Sequence, residues 1–346
     1  MAPEKGSGAG RGSEPLAEPL FSFFVQAASW LLTFARFKSA MTIDRPGFGL
    51  TLPLGLGCSR LGSVLGPGDD VASALIASAL DQGIRFFDTA SVYAQGDSER
   101  LLGRALGKRQ DCIICSKVGQ QLPLPNPALI PVKRLARFAA ARSPVARRAV
   151  AKARARPLPR DWSPTFLAES VEAALKRLGR DQVDVMLLHG PPRSVLLDGD
   201  AVNALDKARQ AGKIGRIGVS ADDVPSALAA LCDDRVQVLQ IPLLPQSVEF
   251  EPVVAQAARV GVAVIAREVL GGAHAISGEL RPEQFAAARI AELAARPELA
   301  MTLIGTTREV HLREALGRAD GKGSEPLALR TNPPLAKENK LTFRLA

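Results

Sequence analysis

The sequence predicts an α/β fold, a closed (β/α)8 TIM barrel. The first observation is a set of short apolar runs, IRFFDT, CIICSK, VDVMLLH, GRIGVS, VQVLQIP, VAVIAR and MTLIGT, which with LPLGLGC in front make eight. Runs apolar throughout imply strands covered on both faces, hence a parallel sheet with helices outside. The second is that the segments between the runs carry helical spacing, and strand and helix alternating to that count suggest closure. The third is that no G-x-G-x-x-G follows an early strand with an acidic residue beyond it, which disfavours the open dinucleotide-binding sheet.

From the amino end, residues 1–40 read as an extension. GSGAGRGSEPLAEP is linker-like, and Leu20 to Ala35 (LFSFFVQAASWLLTFA) is apolar and uncharged. That run is shorter than the ~20 residues a helix needs to cross a bilayer, so a membrane contact through 20–35 is the weaker reading. Met41 is a plausible alternative start. The barrel is expected over 41–319, with 320–346 as a loose tail rich in Pro, Gly and Lys. The best-punctuated helix is SPTFLAESVEAALKRLG: Ser163 caps it, Pro164 suits its first position, and Gly179 suits its end. Leu167, Val171, Ala174, Leu175 and Leu178 then share one face.

The formal charge of +9 is concentrated in one segment. Between Val118 and Arg160 stand ten Lys or Arg and no Asp or Glu, so the remainder of the chain sums to 9 − 10 = −1. We read 118–162 as a basic insertion after the third strand, overhanging the barrel mouth, with two alanine-rich helices (KRLARFAAAR and PVARRAVAKARAR) broken at Ser143-Pro144. Its charge suits an acidic substrate, cofactor phosphates or an anionic membrane, or serves only as a solvated lid. Nucleic acid is disfavoured, because only Phe138 offers an aromatic surface within the basic run. Cys112 and Cys115 form a C-x-x-C, but on a strand positions i and i+3 face opposite ways, so no metal is expected there.

Reactive groups of such a barrel sit where strands end. Asp88 closes IRFFDT, Lys117 closes CIICSK, His189 closes VDVMLLH, and Tyr93, the only tyrosine of the chain, follows Asp88 by five residues. Each alone has an ordinary structural explanation; four together on one mouth do not. A phenol has a pKa of ~10, and an ammonium nearby favours its ionised form. Lys117 is therefore expected to lower Tyr93, Asp88 to keep Lys117 charged, and His189 to orient a carbonyl oxygen. The product is a general acid aimed at a carbonyl.

DTASVYAQGDSERLLGRAL, the strand-end Lys117, LLHGP around His189 and GKIGRIGVS together resemble the aldo-keto reductase superfamily, from about Leu52 to Leu316. The resemblance implies an eight-stranded barrel using NADPH, with NADH as the alternative, on a small-molecule carbonyl substrate. It implies Tyr93 as proton donor, with Lys117, Asp88 and His189 in the supporting roles given above. Among cofactor contacts it implies Ser220 and Gln240 at the carboxamide and Arg267 where many members place an aromatic ring. Leu270 follows in VIAREVLGG, and in LIGTTREVHLREAL the resemblance implies Gly305, Thr306, Arg308 and His311 around the adenosine phosphate, with Glu314 near the adenine. Ala221, Ala315 and Glu268 depart from the family pattern. The expected protein is a soluble, cytoplasmic oxidoreductase; the alternative is a reductase-like barrel acting as a cofactor-sensing regulatory or binding protein.

Overall fold

The computed structural model describes residues 47–121, 138–140, 142–154, 157–271 and 282–317. The strands are β1 (Leu54–Gly57), β2 (Phe86–Asp88), β3 (Ile113–Val118), β4 (Val183–His189), β5 (Ile214–Ser220), β6 (Val238–Pro242), β7 (Ala263–Arg267) and β8 (Leu299–Gly305). They pair in parallel and in chain order, and β1 closes on β8, so the sheet is a closed barrel. Each matches one of the apolar runs read from the sequence. Around them lie α1 (Asp69–Asp81), α2 (Asp97–Leu106), α3 (Pro144–Arg154), α4 (Pro164–Leu178) and α5 (Arg193–Asp198). Then follow α6 (Asp200–Gln210), α7 (Val224–Ala230), α8 (Glu251–Val260), α9 (Pro282–Ala294) and α10 (Glu309–Ala315).

Helix α4 forms for the reasons its sequence announces. The Ser163 hydroxyl accepts from Phe166 N at 3.4 Å, satisfying one orphan amide of the first turn. Gly179 ends the helix in the left-handed region at φ 65°, a conformation that costs glycine little. The five apolar residues of the expected face are all buried. Helix α7 uses the same device, with Asp223 accepting from Ser226 N at 2.7 Å.

Two apolar clusters result. The larger lies between strands and helices; the smaller, of Phe86, Cys115, Val185, Leu187, Val238, Ala263, Ile265, Met301 and Leu303, fills the barrel. Cys112 belongs to the outer cluster and Cys115 to the inner, so the two thiols diverge as expected. At the amino ends of the strands Phe48 closes the barrel, its ring 4.9 Å from that of Phe86 and beneath the Arg216 guanidinium at 5.3 Å. The inner face then sets the chemistry. Side chains two residues apart on a strand share a face, so the position beyond each inward apolar residue points into the barrel's far end. Those positions are Asp88 after Phe86, Lys117 after Cys115, His189 after Leu187, Gln240 after Val238, Arg267 after Ile265 and Gly305 after Leu303.

The two ends of the basic insertion meet. Gln121 N donates to Pro159 O at 2.8 Å and Asp161 N to Gly119 O at 2.9 Å, with Gln120 and Arg160 bridged antiparallel. Beyond that ribbon, α3 is helical from Pro144, and Ser143 Oγ accepts from Ala146 N at 3.3 Å. Among the described residues no helix is long and apolar enough to cross a membrane. The apolar run 20–35, the extension 1–40 and the tail 320–346 lie outside the described residues.

Candidate active site

The carboxyl ends of β2, β3 and β4 bring the four expected residues together. Lys117 Nζ donates to both oxygens of Asp88, each at 2.7 Å, and to Thr89 O at 2.9 Å. Its distance to Tyr93 Oη is 3.4 Å. The His189 ring stands edge-on to the phenol, centroids 5.9 Å apart and planes at 87°. Tyr93 opens a short 3-10 turn, Tyr93–Gly96, in which Ala94 (φ 52°), Gln95 (φ 61°) and Gly96 (φ 84°) are all left-handed. Two consecutive non-glycine residues in that region store backbone strain, which surrounding contacts must overcome.

Lys117 is 1% exposed. Burial alone would push its pKa down; the Asp88 carboxylate, with smaller help from Tyr93 and Cys115, overrides this and raises it above that of a free lysine. The ammonium is therefore charged and held. For Tyr93 the outcome corrects the sequence expectation. Burial raises the phenol and the Lys117 ammonium lowers it, Asp88 raises it again, and the net shift is upward from 10.0. Lys117 acts in the expected direction, but depth in the barrel outweighs it. Tyr93 is thus a protonated phenol at neutral pH, the form a proton donor requires. His189 is held well below 6.5, first by burial and then by the nearby charges of Lys117, Arg267 and Arg160, so its imidazole is neutral. Its Nδ1 is buried with no hydrogen-bond partner among the described residues.

Ser220 and Gln240 join this centre through hydrogen bonds. Ser220 Oγ donates to Gln240 Oε1 at 2.9 Å, and Gln240 Nε2 donates to Asp88 Oδ1 at 2.8 Å. The chain Ser220, Gln240, Asp88, Lys117 is continuous across four strands. Arg267, at the end of β7, is engaged on three sides. Its Nη2 donates to Ala221 O at 3.0 Å and Asp222 Oδ1 at 2.6 Å, while Nη1 pairs with Glu268. Glu268 thus turns toward Arg267, at a left-handed φ of 57°. Leu270 packs partly buried against the outer core.

Gly305 ends β8 beside Gly57 of β1 and faces open space. Thr306 Oγ1 both accepts from Arg308 N and donates to Arg308 O, at 3.1 Å each. The exposed Arg308 lies 3.4 Å from His311 Nε2, and Glu314 is half-buried further along α10. The mouth therefore has a buried corner of four titratable groups at β2–β4 and a separate basic corner at β8.

Sequence reasoning missed the residues that tie the insertion's ends to the strand ends of the site. Arg160, from the return end of the insertion, donates to Gly190 O at 2.9 Å and lies 3.9 Å from Asp222. Gln120 Nε2 donates to His189 O at 3.3 Å. The signal was present only in position, since Asp222 follows the fifth strand end and Gln120 and Arg160 stand at the two ends of the insertion.

A family model described as the aldo/keto reductase family matches residues 53–318. Among curated proteins, the chain is 33% identical over 181 residues to D-threo-aldose 1-dehydrogenase of a Pseudomonas species, covering 49% of this chain and 50% of that one. It is 28% identical over 216 residues to 6-dehydroglucose reductase of Novosphingobium aromaticivorans, covering 58% and 59%. The chain spans about half the length of the curated relatives it matches. A solved aldo-keto reductase of Pseudomonas aeruginosa superposes with a TM-score of 0.61 at 25% identity, covering 80% of this chain and 93% of that one. An aldo-keto reductase of Klebsiella pneumoniae in complex with NADPH shares the fold, with a TM-score of 0.56 at 20% identity over 76% and 84% of the two chains. A closed barrel carrying this tetrad, and a family match over most of its length, place the chain in the aldo/keto reductase family.

Proposed function

We propose that the protein is an oxidoreductase that transfers a hydride between a nicotinamide cofactor, NADPH in preference to NADH, and the carbonyl of a small aldehyde, ketone or sugar. The observation that carries this reading is the Lys117 ammonium, clasped by Asp88 at 2.7 Å and lying 3.4 Å from the buried Tyr93 phenol. The donor set suits the cofactor. Arg308 and His311 offer cationic and hydrogen-bonding groups for a phosphate, the backbone at Gly305 lies in open space, and the Arg267 guanidinium is flat enough to stack on a ring. When bound, the reduced nicotinamide would supply the hydride.

The chain's own residues do the rest. Tyr93 donates its proton to the carbonyl oxygen as negative charge develops there. Lys117 stabilises the phenolate that remains, an interaction that strengthens as the proton leaves. Asp88 keeps Lys117 charged and fixed beside the phenol, and Gln240 and Ser220 hold Asp88 in turn. Neutral His189 orients the oxygen through its ring edge without competing as an acid. In the relatives, D-threo-aldose 1-dehydrogenase and 6-dehydroglucose reductase, the names indicate sugar-like substrates, which supports a polyhydroxy carbonyl.

The test is direct. Tyr93→Phe is expected to lower kcat by about a hundred- to ten-thousand-fold while leaving NADPH binding, followed by nicotinamide fluorescence, unchanged. Retained turnover would remove Tyr93 from the role. The second reading, a cofactor-sensing regulator with little catalysis, draws on Arg267 being engaged by Ala221, Asp222 and Glu268. NADPH binding without oxidation of any aldehyde in a broad panel would favour it.

A further inference from the structure

Helix α2 begins directly after the strained turn that carries Tyr93, and its first residues are tied down by buried polar contacts that the proposed chemistry does not use. Ser98 and Glu99 are both fully buried. Ser98 Oγ accepts from Thr89 Oγ1 at 2.8 Å and donates to Cys58 O at 3.0 Å, fastening the turn to the ends of β1 and β2. Glu99 faces the other way. It accepts from Ser116 Oγ, next to Lys117 on β3, at 2.6 Å, and its second oxygen pairs with Arg177 Nε of α4. Gly96, just ahead of α2, and Glu99 and Gly103 on it, spaced i, i+3, i+7, form the stripe that meets α4. A Cβ at Gly96 would come within 2.6 Å of Arg177 Cδ, and one at Gly103 within 2.4 Å of Leu178 O. The two glycines thus admit a close approach, with the ion pair between them.

A buried ion pair is weak evidence for stability, because the desolvation of both charges roughly offsets their attraction; a role in fixing one geometry is better attested. We propose that the Glu99–Arg177 pair, with Ser116, is a positioning clamp that sets the Tyr93 hydroxyl against the Lys117 ammonium. Ser116 is the residue before Lys117, and Gly96, packed on the Arg177 stem, is the last residue of the Tyr93 turn. The clamp therefore spans the two chain segments whose separation fixes the 3.4 Å contact. It also opposes the strain at Ala94 and Gln95, which would otherwise relax by releasing the turn.

The inference rests on the catalytic reading of Tyr93, and the experiment keeps the two apart. Tyr93 is the only tyrosine of the chain, so its ionisation can be followed by phenolate absorbance in the full-length protein without turnover. Glu99→Gln preserves the acceptor for Ser116 and removes the charge that holds Arg177. It is expected to move the Tyr93 titration toward that of a free phenol, since burial is the larger of the opposing influences. It should also lower kcat by about tenfold with NADPH affinity unchanged. A folded Glu99→Gln protein with the wild-type titration midpoint would overturn the proposal. Should that variant fail to fold, Glu99→Gln combined with Arg177→Met, which removes the pair and leaves no unpaired charge, decides in its place by the same midpoint. Wild-type turnover of aldehydes is measured first, so an inactive wild type counts against the catalytic reading, while the midpoint alone judges the clamp.

Discussion

Two corners of the barrel mouth pair a cation with a carboxylate, and they differ in almost everything else. At the β2–β3 corner Lys117 and Asp88 have side chains 1% and 7% exposed, and each oxygen and proton has a partner. At the β7 corner Arg267 pairs with Asp222 and Glu268, whose side chains are 55% and 57% exposed. Water screens the second group and competes for it; the first is set in apolar surroundings where any missing partner is costly. The same residue chemistry is thus a fixed buried element in one place and an adjustable rim in the other.

Variants can break this contrast, beginning with the largest expected effect. Lys117→Met leaves Asp88 buried beside an apolar stem, and should destabilise the fold by about 3–5 kcal/mol in urea titrations as well as suppress turnover. Adding Asp88→Asn should recover part of the stability and none of the turnover, because the uncompensated charge is gone but the ammonium is not restored. A fully additive loss in the double variant would show that the pair does not act as a unit.

The next effect is a pH dependence. His189 has a folded pKa depressed below 6.5, so its contribution is fully present above that pH. As pH falls below 6.5 the unfolded chain takes up a proton that the folded chain refuses, and stability declines by up to about 1.4 kcal/mol per unit. His189→Gln should flatten that limb of the stability profile; an unchanged slope would place the acid sensitivity elsewhere. Lys117 behaves oppositely. Its raised pKa means that its contribution is intact throughout neutral and mildly alkaline conditions, and is lost only as pH rises through the elevated folded value.

The smallest effect belongs to the rim. Arg267→Gln should cost no more than about 1 kcal/mol of stability, yet alter NADPH affinity measured by fluorescence. A loss as large as that of Lys117→Met would erase the distinction between the corners.

The strand-end residues were legible because a period of two allows only one answer. Once IRFFDT and CIICSK are strands with Phe86 and Cys115 inside, Asp88 and Lys117 must follow them inward. Helix α4 was legible to the residue because Ser163, Pro164 and Gly179 punctuate it. What could not be read was depth. The sign of the Tyr93 shift depends on how much water reaches the phenol, and no local pattern encodes that. Nor could the left-handed Ala94 and Gln95 be anticipated, since neither is a residue that favours the conformation. Glu99 and Arg177 are separated by 78 positions, and only the packed helices bring them together. Gln240 was read as a cofactor ligand; the structure also hangs Asp88 from it.

The short ribbon at Gly119–Gln121 and Pro159–Asp161 has a consequence for how such a chain can change. Where a loop departs and returns through hydrogen-bonded neighbours, the length and make-up of what lies between exert little pull on the strand before or the helix after. The barrel thereby keeps a socket beside the Tyr93–Lys117 contact, into which one cassette of residues can be exchanged for another while the phenol and its ammonium stay in register.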